Sequence, residues 1–158
     1  MTKEEILEKC GYNLDKAKAT YAWLNEVNNQ PTATTNKVVT AYTDENGKKW
    51  VHLCAGKFDF LLDIKNLSDS ENWNDANRLC KNIGMELPSN SMWGLVQAFR
   101  PEVDKVIKDL EGEPLEDCLW AGDEYNRCNA WYFYATYGRL YYYNKMDTRR
   151  VRGSKRFK

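Results

Sequence analysis

The sequence predicts an α+β fold of mixed, mostly antiparallel sheets with two helices, preceded by a short N-terminal helical segment. Three observations carry that expectation. Asn46-Gly47 stands between two β-prone runs, Lys37–Thr43 and Lys48–Leu53, the strongest short-range hairpin signal in the chain. Apolar residues recur at helical spacing over 69–83 and again over 91–110. Past residue 118 the sequence turns to short aromatic runs, Tyr132–Tyr134 and Leu140–Tyr143, around Gly138, which reads as a second hairpin.

Taken in order, residues 1–30 read as helical. Thr2 and Glu5 fit a capping box, Gly11 breaks the first piece, and Asn13 is placed to cap a second. Leu14, Ala17, Tyr21, Leu24 and Val27 then share one face, suited to docking on the domain or to oligomer contacts. The polar, proline-containing run 28–36 is the best boundary, so that residues 31–37 are a linker and 38–158 the main domain. After the first hairpin, Phe58–Ile64 is a further strand, with Trp50, Leu53, Phe58 and Leu62 expected in the core. The helix over 69–83 is expected to be capped by Asp69 or Ser70. Its buried face is marked by Trp73, Ala76, Asn77, Cys80 and Ile83, and Gly84 closes it. The second helix runs from Ser91 to Phe99 and continues after Pro101, which sits where an N1 proline starts a fresh helix, to Leu110. Glu111–Pro114 is a turn, and Cys118-Leu119-Trp120 enters the last sheet.

Seven of the ten tyrosines fall within 120–152. A half-buried strand alternates apolar and polar residues, yet Tyr141, Tyr142 and Tyr143 are consecutive, so at least one must leave any single core face. Tyrosine supplies rigid, amphipathic contact area at low entropic cost, which suits a recognition surface; the plainer reading is strand filler whose hydroxyls reach water. On the recognition reading, Tyr132, Tyr134, Tyr137, Arg139, Tyr141, Tyr142, Tyr143 and Asn144 lie on one face flanked by Arg127, Cys128, Asn129, Arg149 and Arg150, although strand alternation turns some of them from the ligand.

The frame Trp120-x-x-x-Glu124-Tyr125-Asn126, Ala130-Trp131-Tyr132, Gly138, Lys145, Val151-Arg152 resembles the C-terminal variable region of diversity-generating retroelement variable proteins. Upstream, Asn72–Ser89 (NWNDANRLCKNIGMELPS) is similar to the first helix of C-type lectin-like domains. Together the two matches cover roughly 38–152. The resemblance implies a C-type lectin-like fold. It also implies a binding face at 120–152 in which miscopied template adenines scatter Asn-type codons while framework positions stay fixed. It further implies a structural role for Glu124, by pairing with Arg152. Two departures stand out. No cysteine follows Cys128, so the usual lectin disulfide is absent. Trp73-Asn74-Asp75 spells the lectins' calcium string, but on the first helix rather than a late strand, and neither EPN nor QPD occurs. Calcium-dependent sugar binding is therefore not expected.

A content of 42% apolar residues with six tryptophans argues for a folded domain. The net charge is zero but uneven: residues 139–158 hold eight basic side chains against one acid, Asp147, an excess of +7 that the rest of the chain balances. Such a cluster marks either a nucleic-acid contact or a strand that pairs with acids of its own fold. No secretory signal or apolar span is evident, which leaves a phage virion or a bacterial cytoplasm as expected locations and no membrane insertion. Cys10, Cys54, Cys80, Cys118 and Cys128 are odd in number and lack CxxC spacing, so reduced thiols are expected, with Cys54 and Cys80 buried. The sole histidine, His52, sits beside Cys54, but neither a metal site nor a cofactor is expected. No catalytic motif appears, and none of the tryptophan–cysteine context of formylglycine-generating oxidases surrounds Cys118 or Cys128. The expected function is non-enzymatic binding of a protein or cell-surface ligand. Nucleic-acid binding by stacked tyrosines and basic side chains is the alternative, and a homo-oligomeric assembly role is the third reading.

Overall fold

The Asn46-Gly47 pair turns the chain. Gly47 takes a left-handed φ of +83°, Asp44 N–H donates to Lys48 O (2.9 Å), and the Asp44 carboxylate accepts from Asn46 N (2.9 Å) and Lys48 N (3.0 Å). This loop sets the register of β1 (Val39–Thr43) against β2 (Lys49–Ala55). The computed structural model describes residues 37–157. The helices expected over 1–30 and the linker over 31–36 lie outside them, and Val38–Lys158 packs as one unit.

Two sheets organise the described residues. The first has the order β1-β2-β3-β9, with β3 at Phe58–Asp63 and β9 at Ser154–Arg156. The second has the order β4-β8-β5-β6-β7, formed by Ser68–Glu71, Arg149–Val151, Cys118–Glu124, Asn129–Tyr134 and Arg139–Asn144. Every pair is antiparallel except β5 with β8. The α+β expectation therefore holds. Strands β4, β8 and β9 were not expected, because they are three or four residues long and polar.

Three helices are described where two were expected. α1 spans Trp73–Asn82, not 69–83. Residues 68–71 pair with β8 as β4, and the cap is Asn72, whose Oδ1 accepts from Asp75 N (2.9 Å) while its amide donates back to the Asp75 carboxylate (3.0 Å). At the other end, Gly84 at φ +74° closes a Schellman motif, with Met85 N donating to Cys80 O (2.9 Å) and Gly84 N to Lys81 O (3.1 Å). The expected second helix is two. α2 (Asn90–Ala98) is capped by Ser89, and α3 (Arg100–Asp109) begins afresh because Pro101 has no N–H to continue the ladder.

Strand alternation distributes the core. Val51, Leu53, Phe60 and Leu62 point from the first sheet onto Trp93, Val96, Val103 and Ile107 of α2 and α3, and Leu119, Ala121 and Phe133 complete that core from the second sheet. The opposite face of the second sheet carries Trp120, Ala130 and Val151 against Trp73, Ala76 and Cys80 of α1. Buried indoles find acceptors: Trp73 Nε1 donates to Ala121 O (2.8 Å), Trp93 Nε1 to Trp120 O (3.3 Å) and Trp120 Nε1 to Glu71 O (2.8 Å). Trp50, Leu53 and Leu62 are core as expected, whereas Phe58 is half-buried at the rim. Cys80 is buried, but Cys54 is exposed, because β2 alternation turns it away from Leu53.

Arg152 joins the two sheets. Fully buried, it lies between β8 and β9 and donates to Asn66 Oδ1 (2.9 Å), Glu113 O (2.8 Å) and Asp63 O (3.5 Å). Burial holds its guanidinium down to about 10, against the pull of Asp63 and Glu113. Arg152→Met leaves those acceptors without a donor and removes a positive charge near the buried Asp63 carboxylate, which keeps Lys48. It should destabilise the fold by about 3 kcal/mol, read from the urea midpoint. Arg152→Lys keeps the charge without the fork and should recover only part of that.

Candidate recognition surface

The β6–β7 hairpin is the platform for the tyrosines. Gly138, at φ +66°, ends the connection, where its N–H donates to Tyr134 O (2.8 Å). Register then follows: Tyr134 faces Arg139, Tyr132 faces Tyr141, and Trp131 faces Tyr142. Because cross-strand partners share a face, the expected single surface is two surfaces.

The first carries Tyr132, Tyr134, Arg139, Tyr141 and Tyr143. Tyr137 packs edge-on against Tyr134 at 4.8 Å, and Tyr141 lies 6.0 Å from Tyr132 and 6.4 Å from Tyr134. Arg149 is threaded beneath them, its guanidinium 4.1 Å from the Tyr132 ring, 5.4 Å from Trp120 and 5.6 Å from Tyr143. It therefore acts as a cation–π support for the aromatic layer. The second surface carries Tyr142 and Trp131. Tyr125 stacks on Tyr142 at 3.6 Å and 4°, and Trp131 meets Tyr142 edge-on at 5.4 Å. Further along this face Phe133 stacks on Trp93 in the core at 4.8 Å, so this surface opens only at its outer end.

The remaining expected site residues divide by the partners they hold. Asn129 and Asn144 serve turns: Asn129 donates to Asn126 Oδ1 (3.2 Å for its amide, 2.8 Å for its backbone), and Asn144 Oδ1 accepts from Met146 N (2.8 Å). Arg127 and exposed Cys128 occupy the β5–β6 loop, where Arg127 O and Glu124 both accept from Lys145 Nζ (3.0 and 3.1 Å). Glu124 thus pairs with Lys145, not with Arg152 as expected, since Arg152 points into the seam between the sheets. Arg149 pairs with Asp147 (2.9 Å) and Arg150 with Asp117 (3.0 Å) and Glu116 (3.8 Å). The C-terminal basic cluster therefore meets acids of its own fold. Tyr125, Trp131 and exposed Met146 were not expected in the site. The pairing Trp131–Tyr142 follows from parity once the Tyr134–Arg139 connection is known, but the aromatic runs alone left its length open.

Chemically the surface offers neutral phenols. Burial raises Tyr132 and Tyr134, and the hydrogen bond that the Tyr125 phenol donates to Tyr142 raises Tyr125. Cys118, across from Tyr134, is raised by burial and stays a thiol at neutral pH. Among the described residues no helix is long and apolar enough to cross a membrane. No protein-family model matches the chain, and no curated protein matches it.

Two outcomes check this geometry. In the native, reduced protein, alkylation mapped by peptide mass should label Cys54 and Cys128, while Cys80, buried and pushed up to about 12, labels only after unfolding. A Tyr125→Ala, Tyr142→Ala double-mutant cycle should return a coupling of about 1 kcal/mol, and a value near zero would mean the stack does not persist in solution.

Proposed function

We propose that this is a non-enzymatic binding protein on a C-type lectin-like scaffold. Residues 120–152 form a retroelement-diversified variable region that recognises a protein or cell-surface ligand. The observation that carries the reading is the match between burial and the division into framework and variable positions. Of the framework residues, Trp120, Ala130, Val151 and Arg152 are wholly buried and Trp131 and Gly138 half-buried, while Glu124 is exposed and held by Lys145. The consecutive tyrosines of edge strand β7 are 40% (Tyr141), 45% (Tyr142) and 56% (Tyr143) exposed. Of that strand only Leu140 packs on the core, so its other side chains can be exchanged with little cost to the fold.

Exposed tyrosines braced by one another and by Arg149 are rigid, amphipathic anchors of the kind that dominate interface energetics. Four of the eight basic side chains over 139–158 are paired, which favours this reading over phosphate binding: Arg149, Arg150, Lys145 and Arg156 each hold an acid within 4.0 Å.

The decisive test is genomic. Sequencing around the gene should find a near-copy of the codons for 120–152 that differs from them only where the copy has adenines, beside a reverse transcriptase. Absence of any such copy would overturn the diversified region and leave the tyrosines as one fixed surface. On the protein, Tyr141→Ser with Tyr143→Ser should shift stability by less than about 1 kcal/mol, measured by urea unfolding. A loss of several kcal/mol would make these tyrosines structural. Retention on a single-stranded oligonucleotide that falls steeply with salt would instead support the nucleic-acid reading.

A further inference from the structure

The outer face of the first sheet, away from the tyrosines, gathers three side chains of metal-ligand chemistry. His52 and Cys54 are two residues apart on β2 and so share a face. The connection to β3 is only Gly56 and Lys57, with Gly56 left-handed at φ +57°, which fixes Ala55 opposite Phe58 and Cys54 opposite Asp59. A ring nitrogen of His52, Cys54 Sγ and an Asp59 carboxylate oxygen all lie within 4.8 Å of one another, and His52 Nε2 is 2.5 Å from Asp59 Oδ1.

We propose that His52, Cys54 and Asp59 form a binding site for a divalent transition-metal ion of the zinc type. The donor set is one imidazole nitrogen, one thiolate sulfur and one carboxylate oxygen. That set suits borderline-soft zinc and excludes the all-oxygen preference of calcium and magnesium. Metal–ligand bonds of about 2.0–2.3 Å in a tetrahedron place donors about 3.4–3.8 Å apart. An entering ion must therefore part the histidine–aspartate contact by about 1 Å and bring the sulfur to the same spacing. Cys54 and Asp59 are exposed at their ends, so both movements need only side-chain rotation.

The surroundings fit a held site. The Phe157 ring lies 4.3 Å from His52 and is met edge-on by Tyr42 at 4.9 Å, which orients the imidazole; Phe157 N–H donates to Asp59 O (3.0 Å) and ties down the strand that carries the carboxylate. Three protein ligands leave the fourth position to water. A surface histidine–aspartate pair needs no cysteine beside it. Unpaired cysteine is among the most buried residue types, and here it stands exposed near the end of β2 at the third corner.

The test uses the full, reduced chain titrated with cobalt(II) alone and then with zinc. The expected result is a thiolate-to-cobalt charge-transfer band that saturates at one equivalent and is displaced by zinc. Cys54→Ser should abolish the band, and His52→Ala and Asp59→Asn should each weaken binding about tenfold or more. Cys128→Ser should leave it unchanged. Zinc should also raise the melting temperature of the wild type but not of Cys54→Ser, a readout that depends only on the folded protein. No band, a band that survives Cys54→Ser, or equal affinity in wild type and His52→Ala would each overturn the site.

Discussion

A single buried cation carries the connection between the two sheets. Arg152 stands where the chain leaves β8 of one sheet for β9 of the other, and its fork reaches the residues after β3 and the loop before β5. A buried charge is tolerated only when its donors are used, and here carbonyls and an amide use them while the Asp63 carboxylate lies close by. Asp63 is itself buried and is held by Lys48 at 3.2 Å, so the network continues back into the first hairpin. The register of β9, and with it the docking of Phe157 beside His52, depends on this crossing.

The second sheet changes character from one side to the other. Around β5 both faces are covered, one by α2 and the other by α1, which explains why Leu119, Trp120 and Ala121 are all buried in succession. At β7 only Leu140 still packs on the core, and the other side chains of a strand of similar length face solvent on both sides of the sheet. Rigidity at the β5 side and chemical freedom at the β7 side are the two properties a recognition platform needs. Arg149 couples them, since its guanidinium touches both the buried Trp120 and the exposed Tyr143.

Much of this was legible in the residues. The first hairpin, the strand after it, the end of α1 at Gly84 and the restart at Pro101 all follow from local backbone chemistry that acts within a few residues. The start of α1 was misplaced because Asp69 and Ser70 are good caps in isolation, whereas β8, some eighty residues further on, claims 68–71 as a strand. Likewise Cys54 reads as buried by residue type, yet its parity on β2 places it outside. The tyrosines were found by composition, but their division into two faces required the Tyr134–Arg139 register.

What the sequence by itself determined was therefore the set of local elements, the aromatic stretch 120–152 and the uneven charge, because turn residues, caps and periodicity act over short distances. Only the tertiary structure decided which strands β4, β8 and β9 pair with, which tyrosines share a face, that Arg149, Arg150 and Arg156 meet Asp147, Asp117, Glu116 and Glu86, and that Asp59 joins His52 and Cys54. The pairings of β4, β8 and β9, and those of Arg150 and Arg156 with their acids, span tens of residues. Strand partners and ion pairs at that range are chosen by packing and register, which no local pattern encodes.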